Sequence, residues 1–352
     1  MDEFEMTKNT TETFTLGHSP DPDDAFMFYA IAKGKIDLRG YRFEHRLEDI
    51  QTLNERARRG ELHISAISIH AYAYVADKYA LLPCGASMGD GYGPVVVRKR
   101  PVRRNLGAGG STLNVERSTP NTQCSKAASS RRTPKRAMRA KNPVPNTKQV
   151  SPVASTLQRF NASTPNDAIR QSLGNCTIAV PGKMTSAFLA LRLFLGEFNF
   201  IVVPFDKIFD SVESGRADAG LIIHEGQLTY ARSGFEKIVD LGEWWKRKTG
   251  LPLPLGGNVV RKDLPPPVRR DISEIIRESV DYGLAHRDEA VAYSLAYARD
   301  MNSQLASKFI GMYVNEFTRD YGEIGRTAIS KFLSDAHDKG YLDIPFEVEF
   351  VE

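Results

Sequence analysis

What most constrains this chain is a regular alternation of short β-branched runs with amphipathic ones, which stops near residue 98 and starts afresh near residue 177. Residues 13–16 alternate with a strand period, and 22–33 carry helical spacing. Then 41–47 reads as a strand, 49–59 as a helix, 62–67 as a strand and 69–78 as a helix, followed by the β-branched run Val95-Val96-Val97. After the gap, 177–180, 200–203, 219–223 and 237–241 read as strands, with helices over 185–195 and 206–214 between them. Trp244 and Trp245 fall on a short amphipathic helix, and 268–339 is almost wholly helical. Strands alternating with helices predict an α/β fold with largely parallel sheets. The restart predicts a second sheet, and 352 residues suffice for two units with a core each.

The interruption has a different composition. Between Pro101 and Asn166 the chain is rich in Ser, Thr, Pro, Asn, Lys and Arg, and Phe160 is its one aromatic. Such a stretch buries too little apolar area to offset its conformational entropy, so a disordered basic insertion over 101–175 is expected. Residues 98–175 hold 16 Lys and Arg against Glu116 and Asp167, which leaves 31 basic and 41 acidic residues elsewhere. The net charge of +4 therefore describes one segment and hides an acidic body. A tether for nucleic acid is one reading of the segment, predicting salt-dependent binding lost on deleting 103–170. A solubilising linker is preferred, because no aromatic or glycine-rich binding pattern accompanies the charge.

Other classes are set aside on composition. No apolar run approaches the roughly 20 residues that cross a bilayer, and residues 1–12 have no basic-then-apolar leader. Cys84, Cys124 and Cys176 are too far apart for a zinc cluster or a disulfide framework, which points to a reducing, cytoplasmic setting.

In open α/β sheets ligands bind beyond the carboxyl ends of strands, so polar residues at those ends are the candidates. Ser19 follows the first strand, Ser68 ends Ala66-Ile67-Ser68, Thr185 and Ser186 follow 177–180, and His224 follows 219–223. The turn from Pro181 to Ala187 joins a strand to a helix without P-loop spacing, and could cradle a carboxylate on the helix start or merely cap it. Ser68 has the same two readings. Imidazole exchanges its proton near neutral pH, which suits a general base, and His224 alone among the seven histidines sits directly after an apolar strand. Glu225 would orient it or face solvent. Asp21, Pro22 and Asp24 suit the cap, first position and first turn of a helix; this explains them without a metal bound to His18. The glycine-rich run 85–94 precedes a strand and is no dinucleotide turn.

Several of these stretches, taken in order, resemble the 1,4-dihydroxy-6-naphthoate synthase family of menaquinone biosynthesis. The matching pieces are Ser19-Pro20-x-Pro22-x-Asp24-x-Phe26-x-Phe28-Tyr29, Leu47-Glu48-Asp49 with Thr52-Leu53-Asn54, and Ser68 with Ala71-Tyr72. Gly93-Pro94-Val95-Val96-Val97, Ala179-Val180-Pro181-Gly182, Ala219 through Glu225 and Thr249 through Gly256 continue the series. The resemblance implies a two-lobed periplasmic-binding-protein-like fold of type 2 with an interlobe cleft. It places the first part of the large lobe at 13–100, the small lobe at 176–256 and the helical remainder of the large lobe at 257–352. It also implies cleavage of cyclic dehypoxanthine futalosine to 1,4-dihydroxy-6-naphthoate and dihydroxyacetone, with no metal and no organic cofactor. His224 matches the proton acceptor; Ala66, Ile67, Ser68, Ser186 and Ala187 match ligand-binding segments, Asn54 sits where a cleft-lining asparagine is expected, and Thr185, which varies, is taken with them as a substrate-binding hydroxyl. Asp21 and Asp23 depart from the Cys and Asn common in relatives, and Ser186 stands where Thr is common. The partner implied is a small-molecule carboxylate, with no membrane and no nucleic acid. A chorismate dehydratase of the same pathway and a non-catalytic solute-binding protein of the same fold are the rivals.

Overall fold

The first lobe is assembled around β1 (Thr13–His18), whose inward side chains Phe14 and Leu16 are almost completely buried. In this computed structural model, which describes residues 12–101, 165–298 and 301–352, β1 lies between two parallel neighbours. These are β2 (Arg42–Leu47) and β3 (Ile64–Ser68). Beyond β3 come β4 (Tyr79–Leu81) and the short β5 (Ser87–Gly89), both paired antiparallel with β11 (Leu253–Arg261), the strand that returns from the second lobe. The sheet order is β2-β1-β3-β11-β4, with β5 against β11.

The second sheet has the order β10-β6-β9-β7-β8. It contains β6 (Val95–Lys99), β7 (Thr177–Val180), β8 (Asn199–Val202), β9 (Ala219–Ile222) and β10 (Phe235–Asp240). β7 pairs parallel with β8 and β9, while β6 is antiparallel to both β9 and β10. Two expectations are corrected here. The sheets are mixed and not largely parallel, because β6 and β11 each enter a sheet from the other lobe and so run against it. For the same reason Val95–Lys99 belong to the second sheet, and the first passage between lobes comes before Val95, not at residue 100.

That passage, residues 90–94, is pinned by close backbone approach. A Cβ on Gly89 would stand 2.0 Å from the Tyr92 carbonyl oxygen, and one on Gly242 only 1.8 Å from it. Only glycine leaves room there.

Local rules account for several helices. Asp49 caps the helix Ile50–Arg59 by accepting the N–H groups of Gln51 and Thr52 at 3.0 and 3.1 Å, and Gly60 ends it at φ +72°. The helix expected over 22–33 is two, Pro22–Met27 and Tyr29–Ala32, broken at Phe28 (φ −97°, ψ 7°). The helix expected over 69–78 shrinks to Ile69–Tyr72, because Tyr74 and Val75 take up three-residue turns on the carbonyls of Ala71 and Tyr72.

Three packed regions hold these pieces together. Phe14, Leu16 and Ile64 pack under Ile275, Ile276 and Val280 of the helix Pro266–Ala285. In the second lobe Val95, Val97, Ala179 and Ile222 close on Ile208 and Val212. Trp245, wholly buried, packs with Phe332 and Leu253 in a core that also contains residues of both sheets, and donates its indole N–H to the Pro252 carbonyl at 3.1 Å. Fully burying each large apolar side chain contributes about 1.5–3 kcal/mol. Among the described residues no helix is long and apolar enough to cross a membrane. Of the disordered insertion expected over 101–175, residues 102–164 lie outside the described residues, as does Cys124; its end is ordered instead, because Pro165–Leu173 is a helix that buries Leu173.

Candidate functional site

Both sheets send strand ends to one cleft of about 130 Å³. From the first lobe come Ser19, Asp23 and Asp24 after β1, Ala66, Ile67 and Ser68 at the end of β3, and Tyr313. The second lobe supplies Ser186 and Ala187 at a helix start and Ile223 after β9, and β11 adds Gly256 and Asn258. Ala66, Ile67, Ser68, Ser186 and Ala187, the expected substrate-binding positions, line this cleft.

Asn54 and Thr185 lie behind the lining. Asn54 is wholly buried; its Oδ1 accepts the Ser68 N–H at 2.9 Å, and its Nδ2 donates to Ser68 Oγ at 3.0 Å and to the Met184 carbonyl at 3.5 Å. It holds Ser68 in place and ties the two lobes. The Thr185 hydroxyl caps the helix Ser186–Leu195, accepting the Phe188 N–H at 3.2 Å and donating to the Gly182 carbonyl at 3.0 Å. Ser186 Oγ is engaged as well: it accepts the His70 N–H at 3.1 Å and donates to the Leu255 carbonyl at 2.5 Å. What remains at this turn is backbone. Among the described residues the N–H groups of Ser186 and Ala187 have no acceptor, and they open a ten-residue helix whose positive end faces the cleft.

His224 follows β9, but the cleft is lined there by Ile223 and not by the ring. Phe205 and Phe209 hold the imidazole edge-on, with centroids 5.7 and 6.0 Å away. Its Nδ1 accepts the Gly226 N–H at 3.1 Å and stands 3.5 Å from a Glu225 carboxylate oxygen, while Nε2 is buried without a hydrogen-bond partner among the described residues. The Gly226 N–H fits the tautomer with the proton on Nε2; a proton on Nδ1 facing Glu225, which frees the Nε2 lone pair, requires the Gly226 N–H to turn away. Glu225 is itself buried, which answers whether it faces solvent.

The opposite wall is acidic. Asp21 precedes its helix without a side-chain cap bond, contrary to the capping expectation, and accepts the Ser19 hydroxyl at 2.5 Å. Asp24 accepts the Ser19 N–H at 2.6 Å. Burial, then Asp21 and more weakly Glu225, push the Asp23 carboxyl up to about 7. Burial and Asp23 hold Asp24 well above the usual carboxylate range, against the Ser19 N–H acting the other way. His18 is kept apart from these acids: its Nε2 meets His45 Nδ1 at 3.0 Å, and burial with His45 lowers it to about 3. Three carboxylates within four residues beside a strand end were the available signal for this wall.

One contact across the cleft carries no local sequence signal. The Tyr313 hydroxyl, at the end of the helix Ser303–Tyr313, donates to Gln227 Oε1 at 2.7 Å, and burial pushes the phenol far above its ordinary value.

Comparison with known proteins is consistent along almost the whole chain. A family model described as Menaquinone biosynthesis matches residues 14–122 and 160–338. A 1,4-dihydroxy-6-naphtoate synthase of Thermus thermophilus is 32% identical over 329 residues, covering 94% of this chain and 96% of the relative. A protein of the same description from Streptomyces coelicolor is 30% identical over 95% of this chain and 96% of its own length. Among solved structures, a protein of Archaeoglobus fulgidus matches at 35% identity and TM-score 0.72, over 94% of this chain and 98% of that one. A Candida albicans protein described as having the generic periplasmic binding protein fold matches at TM-score 0.61 over 97% of both chains; at 12% identity it speaks to the fold alone.

Proposed function

This chain belongs to the menaquinone biosynthesis family, and we propose that it is a carbon–carbon lyase converting cyclic dehypoxanthine futalosine to 1,4-dihydroxy-6-naphthoate and dihydroxyacetone. The observation that carries the reading is the meeting, at one narrow cleft, of Ser68 from the first sheet with the Ser186–Ala187 helix start and the His224 turn of the second.

The substrate carboxylate fits the free N–H groups of Ser186 and Ala187, where the helix dipole favours negative charge. Ser68 adds a donor: its oxygen already accepts from Asn54, so its proton is available to the ligand. His224 acts as the base in the tautomer whose Nδ1–H faces Glu225, with Nε2 removing an acidic substrate proton. For the ring to reach the substrate, the 223–226 segment must turn past Ile223 and take the Gly226 N–H off Nδ1. Collapse of the resulting carbanion breaks the carbon–carbon bond, and aromatisation of the new ring drives the step. Phe205 and Phe209, packed edge-on against the ring, limit the access of water to the base.

The test is product formation from the cyclic futalosine derivative by the wild type and by His224→Ala. Retained substrate binding with turnover reduced at least about 100-fold is expected for loss of a general base. Undiminished turnover in the variant would remove His224 from the chemistry, and no turnover of this substrate by the wild type would refute the lyase reading.

A further inference from the structure

Behind the cleft wall lies a second, larger cavity of about 460 Å³, to which both lobes contribute. Arg58 lies in the last turn of the helix Ile50–Arg59, and His70 and Tyr74 follow β3; Lys183, Phe200 and Tyr341 close the other side. Its chemistry is aromatic and cationic. Arg58 and Lys183 are exposed, and neither has a carboxylate partner among the described residues. The Lys183 ammonium lies 5.4 Å from the Phe200 ring centre, and Arg192, already paired with Glu197, stacks on Tyr341 at 4.2 Å. His70 supplies a neutral acceptor. Its Nδ1 meets the Thr185 carbonyl at 3.3 Å, so the proton sits there and Nε2 keeps a lone pair. Burial lowers the ring to about 4, which keeps it uncharged at neutral pH.

We propose that this pocket binds a planar hydroxylated aromatic carboxylate, with the carboxylate on Arg58 and Lys183, the ring between Tyr74 and Phe200, and a hydroxyl donated to His70 Nε2. Resting on the lyase reading above, the enzyme's own naphthoate product is such a ligand, and it slows turnover from this site. The wall is shared with the cleft: the His70 N–H binds Ser186 Oγ, and the Met184 carbonyl accepts from Asn54. A ligand bracing the loop of Lys183 and Met184 from behind stiffens both contacts and resists the parting of lobes that product release requires.

The experiment is calorimetric titration of the full-length protein with 1,4-dihydroxy-6-naphthoate, beside the double variant Arg58→Ala/Lys183→Ala. Both residues are exposed and stand outside the cleft lining, so basal turnover should persist. The wild type should bind two equivalents, one class weakening as salt rises, and the variant one. In the wild type the product should lower kcat; in the variant it should compete with substrate only. If the lyase reading fails and the product has no affinity for the cleft, the wild type still takes up one equivalent that the double variant loses. Equal stoichiometry in the two proteins, or a product effect on kcat that survives both substitutions, overturns the proposal whatever the turnover assay shows.

Discussion

Asp23→Asn isolates the acidic wall of the cleft. Burial, with Asp21 next, raises the Asp23 carboxyl from 3.8 to about 7, so the folded state binds this proton more tightly than the unfolded chain. The sign follows from linkage: the stabilisation is complete below about pH 4 and is lost as pH rises through 7. A shift of roughly three units corresponds to about 4 kcal/mol at 1.36 kcal/mol per unit. Asp23 is only partly buried at the edge of the cleft, so solvent screening reduces the working figure to about 2 kcal/mol. Asparagine has nearly the same shape and never ionises. Urea denaturation below about pH 4 should therefore find wild type and variant alike. At pH 8 the variant's midpoint should lie higher by roughly 0.7 M, for a urea slope near 3 kcal/mol/M. A residual decline with pH should persist in the variant, since Asp24 is also raised and stays in place. Midpoints falling in parallel for both proteins, or a variant less stable at pH 8, would refute the assignment of that proton to Asp23.

Asn54→Ala strands the buried Ser68 N–H and cuts the link to Met184, so a loss of about 3 kcal/mol is expected in urea denaturation. An unchanged midpoint would mean that Ser68 finds another acceptor. Tyr313→Phe removes the hydroxyl that spans the cleft to Gln227, worth about 1 kcal/mol, and should raise KM roughly fivefold with a smaller change in kcat. A KM equal to the wild type's would show that closure does not depend on this bond.

The sequence by itself determined whatever is written within a few residues. The strand and helix alternation, the Ser68 turn, the 181–187 turn with its capping hydroxyls and the position of His224 after an apolar strand are local, and each is legible in the sequence. Period and capping depend on neighbours three or four positions away, and such neighbours meet in any fold that keeps the element. Tertiary structure decided the rest. It placed β6 in the second sheet, set Asn54 behind Ser68, left Ile223 and not the His224 ring on the cleft lining, and joined Tyr313 to Gln227. It also set Asp23 and Asp24 in a wall where burial and their neighbours raise both carboxyls above their ordinary range. Those outcomes depend on how two sheets with their helices pack, which brings together side chains 14 to 130 positions apart, and no periodicity in the chain encodes such a meeting.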